Sequence, residues 1–277
     1  MRLLPALLLL ALTGSAGAAP VPWAAPHLPT RHDSRLEAQL ARIGEAFDGE
    51  AGIFVEDLRS GRFAGWNEEA QLPAASTVKL AVIAEGIRRF GFGPSSPVDR
   101  DLRAIGRWSS NAAANRVFAL VGGRVPTEAA LRRLGMFSST YPAPYALSPA
   151  EKPKKKRTTS ASHVRVTTAR DLARALFRLD AAAAGQRWAI RGVGLSRAQA
   201  RAALGYLALA EPSTSVFSFP AGTARMEKDG WLADVRASAT LAVRGGRARI
   251  VVVIAARDGV TLGEARRLGA QVLAAAR

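Results

Sequence analysis

The segment from Thr77 to Phe90 is apolar on nearly every side, with Val78, Leu80, Ala81, Val82, Ile83, Ala84 and Ile87 in close succession. A helix without a polar face belongs inside a domain, so the rest of the chain has to be wrapped around this one. Its entrance is nevertheless polar. Ser76 and Lys79 stand three residues apart, a spacing that puts a hydroxyl and an amine on one helix face. A serine is a weak nucleophile until a neighbour takes its proton, and a desolvated lysine is one of the few groups that can. At a helix N-terminus the backbone N–H groups point outward and favour developing negative charge. The only histidines are His27, His32 and His163, which suits a site whose base is an amine.

Both ends of the chain carry strand patterns and the middle is helical. Ser34 with Glu37 three residues on gives a capping-box pattern that opens a helix to about Phe47. Gly52 to Leu58 reads as a strand, Ser60-Gly61 as a turn and Arg62 to Trp66 as the hairpin partner. Helical patterns follow the central helix at Asn111 to Leu120, Thr127 to Leu134, Thr167 to Leu179 and, behind Ser196 as N-cap, Arg197 to Ala210. Trp231 to Val243, a Gly245-Gly246 turn and Arg249 to Ala255 form a second hairpin, and an amphipathic helix from Thr261 to Ala275 closes the chain. The expected fold is α/β of the α+β type. An antiparallel sheet of about five strands is built from both chain ends and flanked by helices, with an all-helical region inserted between. The sheet part is expected over 34–75 and 195–277 and the helical part over 76–194, together one domain, 34–277. Residues 136–166, with three prolines and a Lys152-Pro153-Lys154-Lys155-Lys156-Arg157 run, read as a long surface loop.

The first residues have the form of an export signal, with Arg2, the apolar run Leu3 to Leu12 and an Ala16-Gly17-Ala18 cleavage pattern. A signal peptide over 1–18 and a proline-rich, poorly ordered lead-in over 19–33 are therefore expected, placing the protein outside the cytoplasm, secreted or periplasmic. The chain has no cysteine, which excludes disulfides and a lipobox attachment. A net charge of +17 favours anionic partners, cell-wall polymers among them. No nucleic-acid motif with interleaved aromatics accompanies the charge, so nucleic acid is not expected as a partner. Nor does any HExxH pattern or cysteine cluster suggest a metal, and no cofactor is expected.

Two more motifs follow Ser76-Thr77-Val78-Lys79: Ser109-Ser110-Asn111 and Lys228-Asp229-Gly230. Each alone has a plain reading, the first as a helix cap and the second as a turn. Together, and in this order, they point to one site. The set resembles the S-x-x-K, S-D-N and K-T-G motifs of the penicillin-recognising serine enzymes, in particular the class A β-lactamases. Pro73 to Lys79 is similar to that family's nucleophile segment, Ser109 to Asn115 to its S-D-N-x-A-A-N stretch, and Thr167 to Leu172 to the helix start after its omega loop. The resemblance spans roughly 34–277 and implies an exported, monomeric serine acyl-hydrolase. In it Ser76 is acylated, Lys79 is its base or proton relay, and Ser109 passes a proton to the leaving nitrogen. Asn111 holds the substrate's side-chain amide. Lys228, Gly230 and Trp231 line the other wall, the N–H groups of Ser76 and Trp231 form an oxyanion hole, and Arg236 offers a second positive charge for a substrate carboxylate.

The chain departs from that pattern in three places. Asp229 stands where the family has a threonine or serine, Ser110 replaces the middle aspartate, and no E-x-x-L-N pattern occurs in 136–166, where Glu151 is the only carboxylate and reads as a solvated loop residue. The substrate is then a β-lactam, opened with slow deacylation, or a peptidoglycan stem peptide cut as by a D-alanyl-D-alanine peptidase or transpeptidase. A catalytically silent wall-binding protein that keeps the motifs is the third alternative.

Overall fold

The computed structural model describes residues 30–147 and 165–277. The expected signal peptide, the basic run at 152–157, Glu151 and His163 lie outside the described residues. In chain order the elements are β1 (Arg31–His32), α1 (Ser34–Glu45), β2 (Glu50–Asp57), β3 (Arg62–Trp66), β4 (Leu72–Pro73), α2 (Lys79–Phe90), α3 (Asp99–Trp108), α4 (Asn111–Leu120) and α5 (Arg124–Leu134). They continue with β5 (Val166–Thr167), α6 (Ala169–Ala184), α7 (Arg187–Val193), α8 (Arg197–Leu207), β6 (Ala224–Trp231), β7 (Val235–Arg244), β8 (Arg247–Ala256) and α9 (Leu262–Ala275).

Strands from both chain ends form one sheet in the order β1-β3-β2-β8-β7-β6. Every pairing in it is antiparallel except the short parallel contact of β1 with β3. Arg31–His32, the end of the expected lead-in, is thus the sixth strand. Both faces of the sheet are covered, and the period of two sorts the strand residues between them. From β2 and β8, Ile53, Val55, Val251 and Val253 join Leu40, Leu268 and Val272 under α1 and α9. Phe54, Ile250, Val252 and Ile254 face the other way, toward α2, α6 and the helical region. An unbroken apolar run such as Ile250 to Ala255 is what a strand buried on both faces requires.

Sequence and structure differ at several boundaries. The N-cap of α1 is Asp33, whose carboxylate accepts from Leu36 N, so Ser34 is the first helical residue and not the cap. The stretch Trp231 to Val243 is two strands, with the hairpin bend at 232–234 and β6 reaching back to Ala224. Lys228-Asp229-Gly230 therefore lies within a strand, not in a turn before one. α3 and α7 were not expected. α8 packs on α6 and α3 and so adds to the helical layer. The described start of the 136–166 loop is partly internal: Tyr141 is fully buried and stacks on Phe118.

One interface between sheet and helices contains a pair of buried acids. Glu56 of β2 and Asp180 of α6 are both almost fully buried, and Glu56 Oε1 has no hydrogen-bond partner. Burial pushes Glu56 up to about 8, with Arg170 offsetting part of the effect and Asp180 adding to it. Burial alone pushes Asp180 up to about 7. A carboxyl raised on folding contributes stability that is full below its unfolded pKa and is lost as pH rises through the folded value. Stability is accordingly expected to fall between about pH 5 and pH 8, by roughly a few kcal/mol. Glu56→Gln should flatten that slope and raise the urea midpoint at pH 8. An unchanged pH profile in the variant would show that Glu56 is not the titrating group.

Candidate active site

Ser76 lies in the tight turn that leads into α2, where Lys79 N, Leu80 N and Ala81 N bond three residues back to Ser76 O, Thr77 O and Val78 O. The turn keeps Ser76 and Lys79 on one face, and Lys79 Nζ donates to Ser76 Oγ at 2.9 Å. The same ammonium reaches Ser109 O at 2.5 Å and Asn111 Oδ1 at 2.6 Å, and it lies 4.3 Å from the centre of the Tyr145 ring. Lys79 is 0% exposed. Burying an ammonium is costly unless acceptors replace its water, and those three acceptors do so.

Ser109 is the left-handed residue that ends α3, with φ 54° and ψ 33°. That conformation is uncommon outside glycine. Here it lets one residue serve two lysines: its carbonyl accepts from Lys79 and its Oγ accepts from Lys228 Nζ at 2.9 Å. Ser110 caps α4 by accepting from Ala113 N. Asn111 follows as its first residue and donates from Nδ2 to Ala146 O at 2.7 Å.

The opposite wall is β6, the edge strand of the sheet. Lys228 is 0% exposed and donates to Ser109 Oγ, to Asp229 O at 2.8 Å and to Asp229 Oδ1 at 2.9 Å. Gly230 is where the strand presses on the nucleophile turn. A Cβ there would lie 2.7 Å from Ser76 N and 3.0 Å from the Ala75 Cβ, so only glycine permits the approach. Trp231 ends the strand with its residue 41% exposed.

Ser76, Lys79, Ser109, Asn111 and Lys228 are thus joined in one chain of hydrogen bonds between helical region and sheet, with Gly230 and Trp231 beside it. Arg236 is placed differently. It is half-buried across from Trp231 on β7, and its Nη1 donates to the carbonyls of Leu232 and Val235, so that nitrogen is committed to its own hairpin.

Two participants were not read from the sequence. Tyr145 donates from its hydroxyl to Ala75 O at 2.8 Å, and burial pushes that hydroxyl well above its ordinary value, with Arg165 offsetting part. Arg165 stacks on the same ring at 3.7 Å. Thr214 donates to Asp229 Oδ2. Neither belongs to a motif; the only hint is a tyrosine among prolines and a threonine after one. Among the described residues no three His, Asp or Glu side chains converge as a metal site would.

The arrangement can activate Ser76 toward a carbonyl or phosphoryl centre. Gly230→Ala is expected to displace the Ser76 turn and slow labelling of Ser76 by a fluorophosphonate by about tenfold or more, since misplacement of about 1 Å costs up to a hundredfold. Stopped-flow or intact-mass kinetics would check it, and unchanged labelling would show that the contact does not govern reactivity.

The profile described as the β-lactamase enzyme family matches residues 35–100, a span that includes the Ser76–Lys79 turn. No curated protein matches the chain in sequence. Among solved structures, PBP-A superposes with a TM-score of 0.71 at 16% identity, covering 91% of this chain and 98% of its own. A leucine-to-glutamate mutant of PBP-A, an acyl-enzyme complex with penicillin-G, gives 0.69 at 17% identity and covers 90% and 98%. A class A β-lactamase from Mycobacterium abscessus gives 0.67 at 18% identity and covers 87% and 98%. On sheet order, helical insertion and these superpositions, the chain has the class A serine β-lactamase-like fold.

Proposed function

We propose that this protein is a serine acyl-hydrolase of the class A β-lactamase type, acylated at Ser76 by a β-lactam or a related activated amide. The observation that carries the reading is the continuous hydrogen-bond chain from Ser76 Oγ through Lys79 to Ser109 and Lys228. Ser76 Oγ attacks the carbonyl carbon as Lys79, in its neutral amine form, accepts the Ser76 proton and becomes the ammonium that Ser109 O and Asn111 Oδ1 then hold. The oxyanion develops at the helix entrance, against the N–H of Ser76 and that of Trp231, where one such donor lowers the barrier by about 2.7–4 kcal/mol. Ser109 then hands a proton to the leaving nitrogen, and Lys228 holds the Ser109 hydroxyl in place. Asn111 fixes Lys79 through Oδ1 and keeps a second amide hydrogen for substrate.

Hydrolysis of the acyl-enzyme is the slower half of this proposal, because the sequence lacks the E-x-x-L-N pattern that positions the water in the family it resembles. Intact-mass measurement after incubation with a fluorophosphonate and with benzylpenicillin is expected to show a persistent single adduct. Ser76→Ala abolishes it, and Lys79→Ala slows its formation by roughly 10²–10⁴-fold. A folded protein that forms no adduct and turns over no β-lactam would end the hydrolase reading in favour of a silent wall-binding role. Release of D-alanine from a short acyl-D-alanyl-D-alanine peptide would move the substrate to wall peptides.

Export belongs to the same proposal and is supported by the n-region, apolar run and A-x-A pattern of residues 1–18. N-terminal sequencing of protein purified from outside the cytoplasm is expected to begin at Ala19, and a chain recovered there with Met1 intact would refute cleavage. The excess of basic residues suits a monomer working among anionic wall polymers.

A further inference from the structure

Asp229 is 4% exposed and engaged at both oxygens, Oδ1 by Lys228 Nζ at 2.9 Å and Oδ2 by the Thr214 hydroxyl. Burial pushes this carboxyl up, but the Lys228 ammonium and then the Thr214 hydroxyl outweigh burial and hold it below its ordinary value. It is a carboxylate at neutral pH. Lys228 has three N–H donors, and Ser109 Oγ, Asp229 O and Asp229 Oδ1 accept three bonds from it. The ammonium at the cleft wall is therefore neutralised from within and has its donors occupied. Arg236 gives Nη1 to the Leu232 and Val235 carbonyls.

The position matters because Ser109 is the proton donor to the leaving group. A carboxylate one carbon away from the leaving atom, with bonds of about 1.5 Å, would sit against Ser109 Oγ and hence against Lys228 Nζ, 2.9 Å from that oxygen. It would meet an ammonium whose donors are taken and whose charge Asp229 already compensates, so little repays the water an anion must give up in a partly desolvated cleft. A neutral or cationic group at the same place meets no such penalty.

We infer that Asp229 makes Ser76 react faster with acyl donors that bear no carboxylate beside the scissile bond, neutral or basic amides and esters, than with otherwise identical acidic ones such as a free-acid β-lactam. The inference rests on the acyl-transfer reading of Ser76 and names its substrate class. The step itself is unchanged: the bond from Ser76 Oγ to the acyl carbon forms, the bond to the leaving nitrogen or oxygen breaks, and the Ser76 proton is replaced on the leaving group through Ser109. No further reactant is consumed until water releases the acid.

The test compares acylation of Ser76 by benzylpenicillin and by its methyl ester, two probes with the same reactive ring that differ in one charge. The readout is the ratio of their second-order rate constants, measured by competition with a fluorophosphonate. The wild-type protein is expected to favour the ester by about tenfold or more. Asp229→Asn, nearly isosteric, and Asp229→Thr should each shift the ratio toward the free acid by about tenfold. A wild-type ratio near one or in favour of the acid overturns the inference without any variant being needed, as does a ratio that neither substitution moves. Absence of fluorophosphonate labelling at Ser76 in the folded wild-type protein would instead remove the acyl-transfer reading beneath it.

Discussion

The structure turns on the Lys79 ammonium. A fully buried cation is tolerated only where acceptors replace the water it has lost, and its acceptors come from separate pieces of chain: the Ser76 turn, the end of α3 and the first residue of α4. One side chain therefore sets the distance between the nucleophile turn and the α3–α4 junction. Lys228 makes the corresponding tie from the sheet to Ser109 Oγ. The helical insertion is clipped to the sheet at the place where chemistry occurs, so the geometry of the site and the docking of the two halves are one problem.

The strain in the backbone follows the same logic. Among the described residues three non-glycine positions have positive φ, and two of them, Ala75 at 45° and Ser109 at 54°, flank the site. Such conformations cost roughly 1–3 kcal/mol each and persist only where surroundings over-determine them. The Ala75 carbonyl is held by the Tyr145 hydroxyl and the Ser109 carbonyl by Lys79. The Gly230 contact closes the turn from the third side. Tyr145 in turn is fixed by Arg165 on its ring and by Asn115, which bonds both its N–H and its carbonyl.

What the sequence disclosed depended on whether a residue type had one physical use or several. The three-residue spacing of Ser76 and Lys79, the N-cap at Ser196 and the β8 run each admit few interpretations, and each appears where its pattern put it. β6 was legible only in part, because its buried residues include Glu227, Lys228 and Asp229, charges that a strand pattern excludes; Lys228 pairs with Asp229, and Glu227 with Arg225. α3 carries only Leu102 and Ile105 as large buried apolar residues among its arginines and aspartates, too sparse a stripe to register. The contact of Arg236 Nη1 with the carbonyls of its own hairpin bend depends on the tightness of that bend, which chain distance from Lys228 does not reveal. The partnership of Thr214 with Asp229 joins residues in separate elements, and no local rule connects them.

Charge economy separates the surface from the cleft. The chain carries a large positive excess, but two of its buried charges are compensated close by: Glu85 of α2 by Arg88, Arg89 and Arg133, and Lys228 by Asp229. A surface field of that sign draws anions toward the molecule, whereas the cleft wall, neutralised at Lys228, gives an anion little to hold. Attraction at long range and selection at contact thus act on different properties of a ligand. Under the acyl-transfer proposal the surface responds to net charge, and the crevice to where along the molecule that charge sits relative to the bond attacked by Ser76.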